Sequence, residues 1–311
     1  MPASARASHR VIRIGTRGSA LALVQSEMVA TAIRAHNPDV AVELVRITTR
    51  GDAIQDRPLS EIGGKGLFVT EIENVLRARA IDLAVHSSKD LPSELALDMT
   101  IGAFLPRADV RDALVSTYHG LDAIPRGARV GTSSPRRQSQ LRALRPDLAL
   151  LDIRGNVDTR LRKLDGGNYD ALVLAAAGLD RLGVHDPRIQ PLPIDIMLPA
   201  VGQGAIAVEA RSNDTDIAAL VAPLHDADTA DAVAAERAFL AATGGNCNTA
   251  VAAYAEVDVD NILITALVGA ADGGNIRGSR RGPRADGIRI ARELAALLMN
   301  AGAGELLASG R

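Results

Sequence analysis

Three times between residues 129 and 181 an apolar run ends in a small polar loop and a helical pattern follows. No other feature of the chain restricts its fold so tightly. The runs end at Val130, Ile153 and Ala175. Strands that each feed a helix are joined by crossovers, and such crossovers make neighbouring strands parallel, as in an open α/β sheet. In the first unit GTSS follows Val130, where Ser134 suits a helix N-cap and Pro135 the first helical position. Arg136 and Arg137 then fall in the first turn, where the positive end of the helix dipole opposes them. Cations in that position, beside exposed backbone N–H groups, make sense where an anion sits. The second unit repeats the arrangement with Arg154-Gly155-Asn156 and with Arg160 in the next helical turn. Residues 126–163 hold ten basic and three acidic side chains in a chain of net charge −2. The bland reading is that these arginines solubilise helix surfaces. With Arg181 after the third run, three arginine groups on one rim, at the carboxyl ends of the strands where open α/β sheets bind ligands, make an anion pocket the better expectation.

A similar unit opens the chain. Residues 11–15 read as a strand, and the next loop sets Arg17 and Ser19 at the start of a helix running from 20 to about 35, which Asn37-Pro38 stops. A second strand is expected over 40–48. A helix is expected over 67–79, with Leu67, Val69, Ile72, Val75 and Leu76 on one face. Between them, GGKG at 63–66 has a glycine after Lys65 where a nucleotide phosphate loop needs Ser or Thr, so a loop beside an active site is the better expectation. The strand at 81–85 leads into HSSKDLP. Position alone leaves Lys89 and Asp90 open between a solvated ion pair and a functional site. Residues 106–111 and the proline-rich 187–199 read as two crossings between lobes, which puts a cleft at the interface. The expected division is residues 1–105 with 201–223 as one α/β lobe, 106–200 as a second, arginine-rich α/β lobe, and 224–311 as a small α+β domain.

Composition narrows the function. No run of about 18 apolar residues exists, so no membrane span is expected. The polar first ten residues lack the apolar core of a signal peptide, which makes the cytoplasm the default. Six aromatic residues are too few for the stacking platforms of a single-strand nucleic-acid binder. The single cysteine excludes an internal disulfide, and no metal site is expected. Cys247 sits among small polar residues, where a thiol is either incidental or a nucleophile or attachment point.

Eight segments carry a resemblance: IGTRGSALAL at 14–23, TTRGD at 48–52, GGKGLF at 63–68, AVHSSKDLP at 84–92, GTSSPRRQ at 131–138, RGNVDTRL at 154–161, LPAVGQGA at 198–205, and ERAFL at 236–240 followed by the cysteine loop. In this order they resemble the porphobilinogen deaminase (hydroxymethylbilane synthase) family, from about residue 11 to the C-terminus. The resemblance implies two doubly wound lobes like those of periplasmic binding proteins, plus a small α+β C-terminal domain. It implies a transferase of tetrapyrrole biosynthesis, condensing four porphobilinogen molecules head to tail with loss of ammonia and then releasing hydroxymethylbilane by hydrolysis. The primer would be a dipyrromethane cofactor held on Cys247 by a thioether. Asp90 would be the catalytic carboxylate, stabilising positive charge on pyrrole nitrogen and relaying protons. Each pyrrole unit carries an acetate and a propionate, which suit bidentate guanidinium groups. Lys89, Ser133, Ser134, Arg136, Arg137, Arg154 and Arg160 would hold the cofactor, and Arg17, Ser19, Arg181 and Gln203 the substrate. Lys65 and Phe68 are candidates for a lid. A monomer is expected, with no metal, nucleic acid or membrane among its partners. Asn246 and Ala250 depart from the family's frequent glycine and proline, which bears on the rigidity of the cysteine loop. Two competing readings are a non-enzymatic two-lobed anion-binding protein and an enzyme of phosphorylated substrates.

Overall fold

The structure is a computed structural model that describes residues 11–53, 69–246 and 248–309. Lys65, Phe68 and Cys247 lie outside the described residues.

One sheet is built from β1 (Val11–Thr16), β2 (Ala41–Arg46), β3 (Leu83–Ser87), β4 (Met99–Phe104) and β10 (Ile206–Arg211), in the order β2-β1-β3-β10-β4. A second contains β5 (Asp112–Ser116), β6 (Arg129–Gly131), β7 (Ala149–Leu151), β8 (Ala171–Ala175) and β9 (Ile189–Pro191), in the order β7-β6-β8-β5-β9. In the first sheet β1 pairs in parallel with β2 and β3, and β10 runs antiparallel to β3 and β4. In the second, β6 is parallel to β7 and β8, and β5 is antiparallel to β8 and β9. The two lobes thus share one plan, in which the crossing segment delivers an antiparallel strand into a parallel set. Helical periodicity points to the parallel strands. Strands β4 and β5 escape it, because a short apolar run with no helix after it carries no period.

The central strands are buried on both faces, as parallel strands covered by helices must be. Leu83, Ala84, Ala171, Leu172 and Val173 are fully buried. The covering helices are α1 (Ala20–His36), the single turn α2 (Arg50–Ala53), α3 (Thr70–Arg77), α4 (Pro135–Leu144), α5 (Val157–Asp165), α6 (Ala176–Arg181) and α7 (Thr215–Val221). Ser19 caps α1 by accepting from the Ala22 backbone N–H at 3.2 Å.

The C-terminal unit packs α8 (Ala227–Ala242) and α9 (Gly287–Leu298) on an antiparallel sheet of β11 (Val251–Val257), β12 (Asn261–Gly269) and β13 (Asn275–Pro283). A further helix, α10 (Gly304–Ser309), follows. Phe239, Ile262, Ile264 and Leu294 are fully buried at its centre. Helix α8 also reaches the first lobe, where Val233 packs with Leu91, Phe104 and Ala207.

The two crossings, residues 105–111 and 192–205, lie against each other. Ala108 N–H donates to the Gly204 carbonyl at 3.2 Å and Arg107 Nε to the Gln203 carbonyl at 3.0 Å. Gly204 has φ +85°, and a Cβ there would stand 2.5 Å from the Ala108 carbonyl oxygen, so no side chain fits between the two crossings. Glu236 of α8 is fully buried behind this joint. Its carboxylate accepts from Arg107 Nη1 at 2.7 Å and Nη2 at 3.0 Å, and from the backbone N–H groups of Gly202 at 2.7 Å and Ala255 at 2.9 Å. Arg107 also lies 5.4 Å from the centre of the Tyr254 ring. One carboxylate therefore ties both crossings to the third unit. Glu236→Ala should lower unfolding free energy by about 3–5 kcal/mol, because it strands a largely buried guanidinium and two backbone donors. Chemical denaturation measures this, and a loss below about 1 kcal/mol would show that the joint holds without Glu236.

Candidate active site

Loops at the carboxyl ends of β1, β3, β6, β7 and β8 carry most of the polar residues singled out above. On the first lobe Arg17, Ser19 and Asp90 line one pocket, whose floor includes Gln25, His86 and Ser87. Asp90 is exposed, and Arg17 Nη1 approaches its Oδ2 only to 3.9 Å. A pair that long and that exposed holds the carboxylate weakly, so Asp90 is accessible to a ligand. The backbone below it is held firmly. Ser87 and Gln25 exchange hydrogen bonds at 3.0 and 2.9 Å, and His86 Nε2 lies 2.9 Å from Glu209 Oε2 in the buried sheet.

On the second lobe the arginine pair points inward. Arg136 and Arg137 are 4% and 7% exposed, and both meet Asp112, the first residue of β5, which is fully buried. Arg136 Nη1 donates to Asp112 Oδ2 at 2.7 Å and to the Leu198 carbonyl at 2.7 Å. Arg137 donates to Asp112 Oδ1 from Nε at 3.0 Å and Nη2 at 2.6 Å, and to the Val173 carbonyl from Nη1 at 2.8 Å. Burial alone would push the Asp112 carboxyl upward, but the two guanidinium groups more than reverse this and hold it well below the ordinary carboxylate range. Gln203, from the returning crossing, donates to Asp112 Oδ1 at 3.1 Å and to the Val110 carbonyl at 2.7 Å. Its Oε1 lies 3.5 Å from Lys89 Nζ. One polar chain thus runs from Lys89 on the first lobe, through the crossing, to the arginines of the second.

Lys89 is half-buried. Desolvation, aided by Arg137 and Arg136 and partly offset by Asp90 and Asp112, pulls its ammonium down from 10.5 to about 8. Arg160 is likewise pulled down to about 10, by desolvation first and then by Arg137 and Arg154, with Asp90 in opposition. These cations are close enough to repel one another, which is the electrostatic state of a site built for an anion.

The remaining residues have other places. Ser134 stands at the N-cap of α4 with Pro135 next, but its side chain makes no capping bond. Ser133 Oγ donates to the Ile153 carbonyl at 2.9 Å and accepts from its N–H at 2.8 Å, stitching the two arginine-bearing loops together. Arg160 Nε donates to the Gly155 carbonyl at 2.8 Å, and Gly155 has φ +107°. Arg181 Nη2 donates to the Gly204 carbonyl at 2.7 Å. Among the described residues the buried Nε atoms of Arg136 and Arg181 have no hydrogen-bond partner, so donor capacity is left over at the site. Three elements of this site are absent from the sequence reading: Asp112, the Gln25–Ser87 pair and the Arg107–Glu236 clamp. An acidic residue heading an apolar run was the only mark that Asp112 left in the sequence.

A family model described as the porphobilinogen deaminase dipyrromethane cofactor binding domain matches residues 12–219, and one for the porphobilinogen deaminase C-terminal domain matches residues 230–298. The chain belongs to the porphobilinogen deaminase family. A porphobilinogen deaminase of Roseiflexus castenholzii is 55% identical over 96% of this chain and 98% of its own. One from Stenotrophomonas maltophilia is 51% identical over 95% and 98%. Among solved structures, the periplasmic aliphatic sulphonate binding protein of Escherichia coli is similar at 14% identity, covering 76% of this chain and 71% of that one with a TM-score of 0.39. As a porphobilinogen deaminase the chain is a transferase of tetrapyrrole biosynthesis, and its cofactor is dipyrromethane. Leftover guanidinium donors and mutually repelling cations fit a cofactor of that kind, whose pyrrole rings bear carboxylates. Among the described residues no helix is long and apolar enough to cross a membrane, and no His/Cys/Asp/Glu group could hold a metal ion.

The depressed lysine gives a pH signature. Unfolded lysine titrates near 10.5 and Lys89 in the folded, ligand-free protein near 8. Between those values the unfolded state binds more protons, so stability attributable to Lys89 rises with pH across the window and is flat below about 8. The stability difference between the ligand-free protein and its Lys89→Met variant should therefore shift in favour of the parent as pH climbs from about 8 towards 10.5, read by thermal denaturation. A flat or opposite trend would mean that the lysine is not depressed.

Proposed function

We propose that the space between the lobes is where this chain condenses four porphobilinogen molecules head to tail, with loss of ammonia, and releases hydroxymethylbilane by hydrolysis. The observation that carries this is the disposition of charge. An accessible carboxylate, Asp90, faces a set of cations, while a second, Asp112, is buried and engaged by Arg136, Arg137 and Gln203. Asp90 is thus the group we assign to the pyrrole nitrogen. It stabilises the positive charge that builds there and takes up or returns the ring proton. When bound through Cys247, the dipyrromethane supplies the carbon nucleophile from which the chain grows.

Lys89, Arg136, Arg137, Arg154 and Arg160 hold the carboxylates of the cofactor, with Ser134 and the N-terminus of α4 adding donors. Ser133 contributes by fixing the loop. Arg17, Ser19, Arg181 and Gln203 orient the incoming substrate. In the same reading residues 1–105 with 201–223, 106–200, and 224–311 are three domains of a cytoplasmic monomer that acts without a nucleic-acid partner.

Asp90→Asn should leave the melting temperature unchanged and lower the rate of hydroxymethylbilane formation about 10²–10⁴-fold. Retained turnover would remove Asp90 from the mechanism. Intact-mass measurement of the purified protein should find an excess equal to two linked pyrrole units, mapped to Cys247 and absent from Cys247→Ala. An unmodified mass that persists after incubation with porphobilinogen would favour a non-enzymatic anion-binding protein instead.

A further inference from the structure

We propose that Asp112 is a positioning residue, the built-in counter-ion that sets Arg136 and Arg137 in place before any ligand arrives and, through Gln203, makes their placement depend on the joint between the lobes. The inference rests on the reading of the site given above and assigns a part to a residue that touches neither substrate nor cofactor in that reading.

The geometry of the carboxylate comes first. Asp112 Oδ1 accepts from Arg137 Nε, Arg137 Nη2 and Gln203 Nε2, and Oδ2 accepts from Arg136 Nη1. A carboxylate offers about two lone-pair positions on each oxygen, so Oδ1 is saturated and Oδ2 keeps at most one position for another donor. The guanidinium groups differ. Among the described residues Arg136 Nε is buried without a partner, and Arg137 uses Nε, Nη1 and Nη2 once each of its five N–H donors. Asp112 therefore grips one side of each arginine, and what is left on the arginines is donor capacity, the requirement of an anionic ligand.

Charge makes the same point. Asp112 supplies one negative charge against two guanidinium groups that are nearly fully buried, and Lys89 lies beyond Gln203. Without Asp112 two buried like charges would share one space, and at least one would turn to solvent. An incoming carboxylate cannot order the pair in advance, because it must first bind to them. Gln203 adds the mechanical link. Its side chain holds Asp112 and the Val110 carbonyl, while its own carbonyl holds Arg107 of the other crossing. A change at the joint therefore reaches the arginines directly.

The test compares Asp112→Asn, Asp112→Glu and Gln203→Leu in the full-length protein, with porphobilinogen as the probe. Melting temperature, the fraction of molecules carrying the two-pyrrole adduct by intact mass, and KM and kcat per adduct-bearing molecule are measured. Asp112→Asn should acquire the adduct at least about tenfold less than the parent, and the loaded fraction should show KM raised about tenfold. Asp112→Glu, which keeps the charge, should recover most of the loading. Normal loading and KM in Asp112→Asn would overturn the proposal. So would equal defects in the Asn and Glu variants, or a lower melting temperature with parental KM and kcat in every loaded molecule, since that would leave only a structural role. Where Asp112→Asn does not fold, Gln203→Leu decides through the fraction of molecules carrying the adduct, because a rise in KM alone would follow from the part Gln203 plays with substrate: a loaded fraction several-fold below the parent supports the link through the joint, and parental loading refutes it. Failure of the parent itself to acquire the adduct would strike at the proposed function and not at Asp112.

Discussion

A single buried carboxylate, Asp112, makes the rest of the site possible. Two guanidinium groups cannot lie in a nearly dry space between sheet and helix unless something there is negative, and Asp112 is the group that meets both. Folding stability does not call for such a cluster, since each desolvated ion costs several kcal/mol and well-packed apolar side chains of similar size would do as well or better. Its consequence is a fixed array of donors with their spare hydrogen bonds unfilled, which is the preorganised state a polyanionic ligand requires.

The same economy governs the joint between lobes. Glu236 meets Arg107 and the backbone of Gly202 and Ala255, so both crossings and the C-terminal unit share one buried anion. Two fully buried carboxylates, Asp112 in front and Glu236 behind, thus bracket the stretch around Gln203. Residues on either side of the space between the lobes are held in register by polar contacts that a hinge movement would have to break or carry along.

Much of the site was legible before any coordinates. Arg136 and Arg137 stood out because the first turn of a helix is the wrong place for cations. Arg154, Arg160 and Arg181 stood out because they repeat after strand ends. Asp90 is ambiguous by position, and the role proposed for it comes from the resemblance of the motif order to the family. The same reading did not show that Arg136 and Arg137 turn inward onto a counter-ion, or that Ser133 joins two loops through Ile153. Those facts depend on contacts between segments 20 to 25 residues apart, and a linear pattern holds no record of them.

The division has a physical cause. Periodicity and turn chemistry are local, so the chain alone determined that strands feed helices, that arginines follow the strand ends and that the polypeptide crosses between lobes twice. The antiparallel strands β5 and β10, the meeting of Asp112 with two arginines and the clamp of Glu236 on Arg107 are non-local. They were decided by which buried charges could find partners once the sheets had formed, because an unpaired ion in the interior costs more than any local preference can supply.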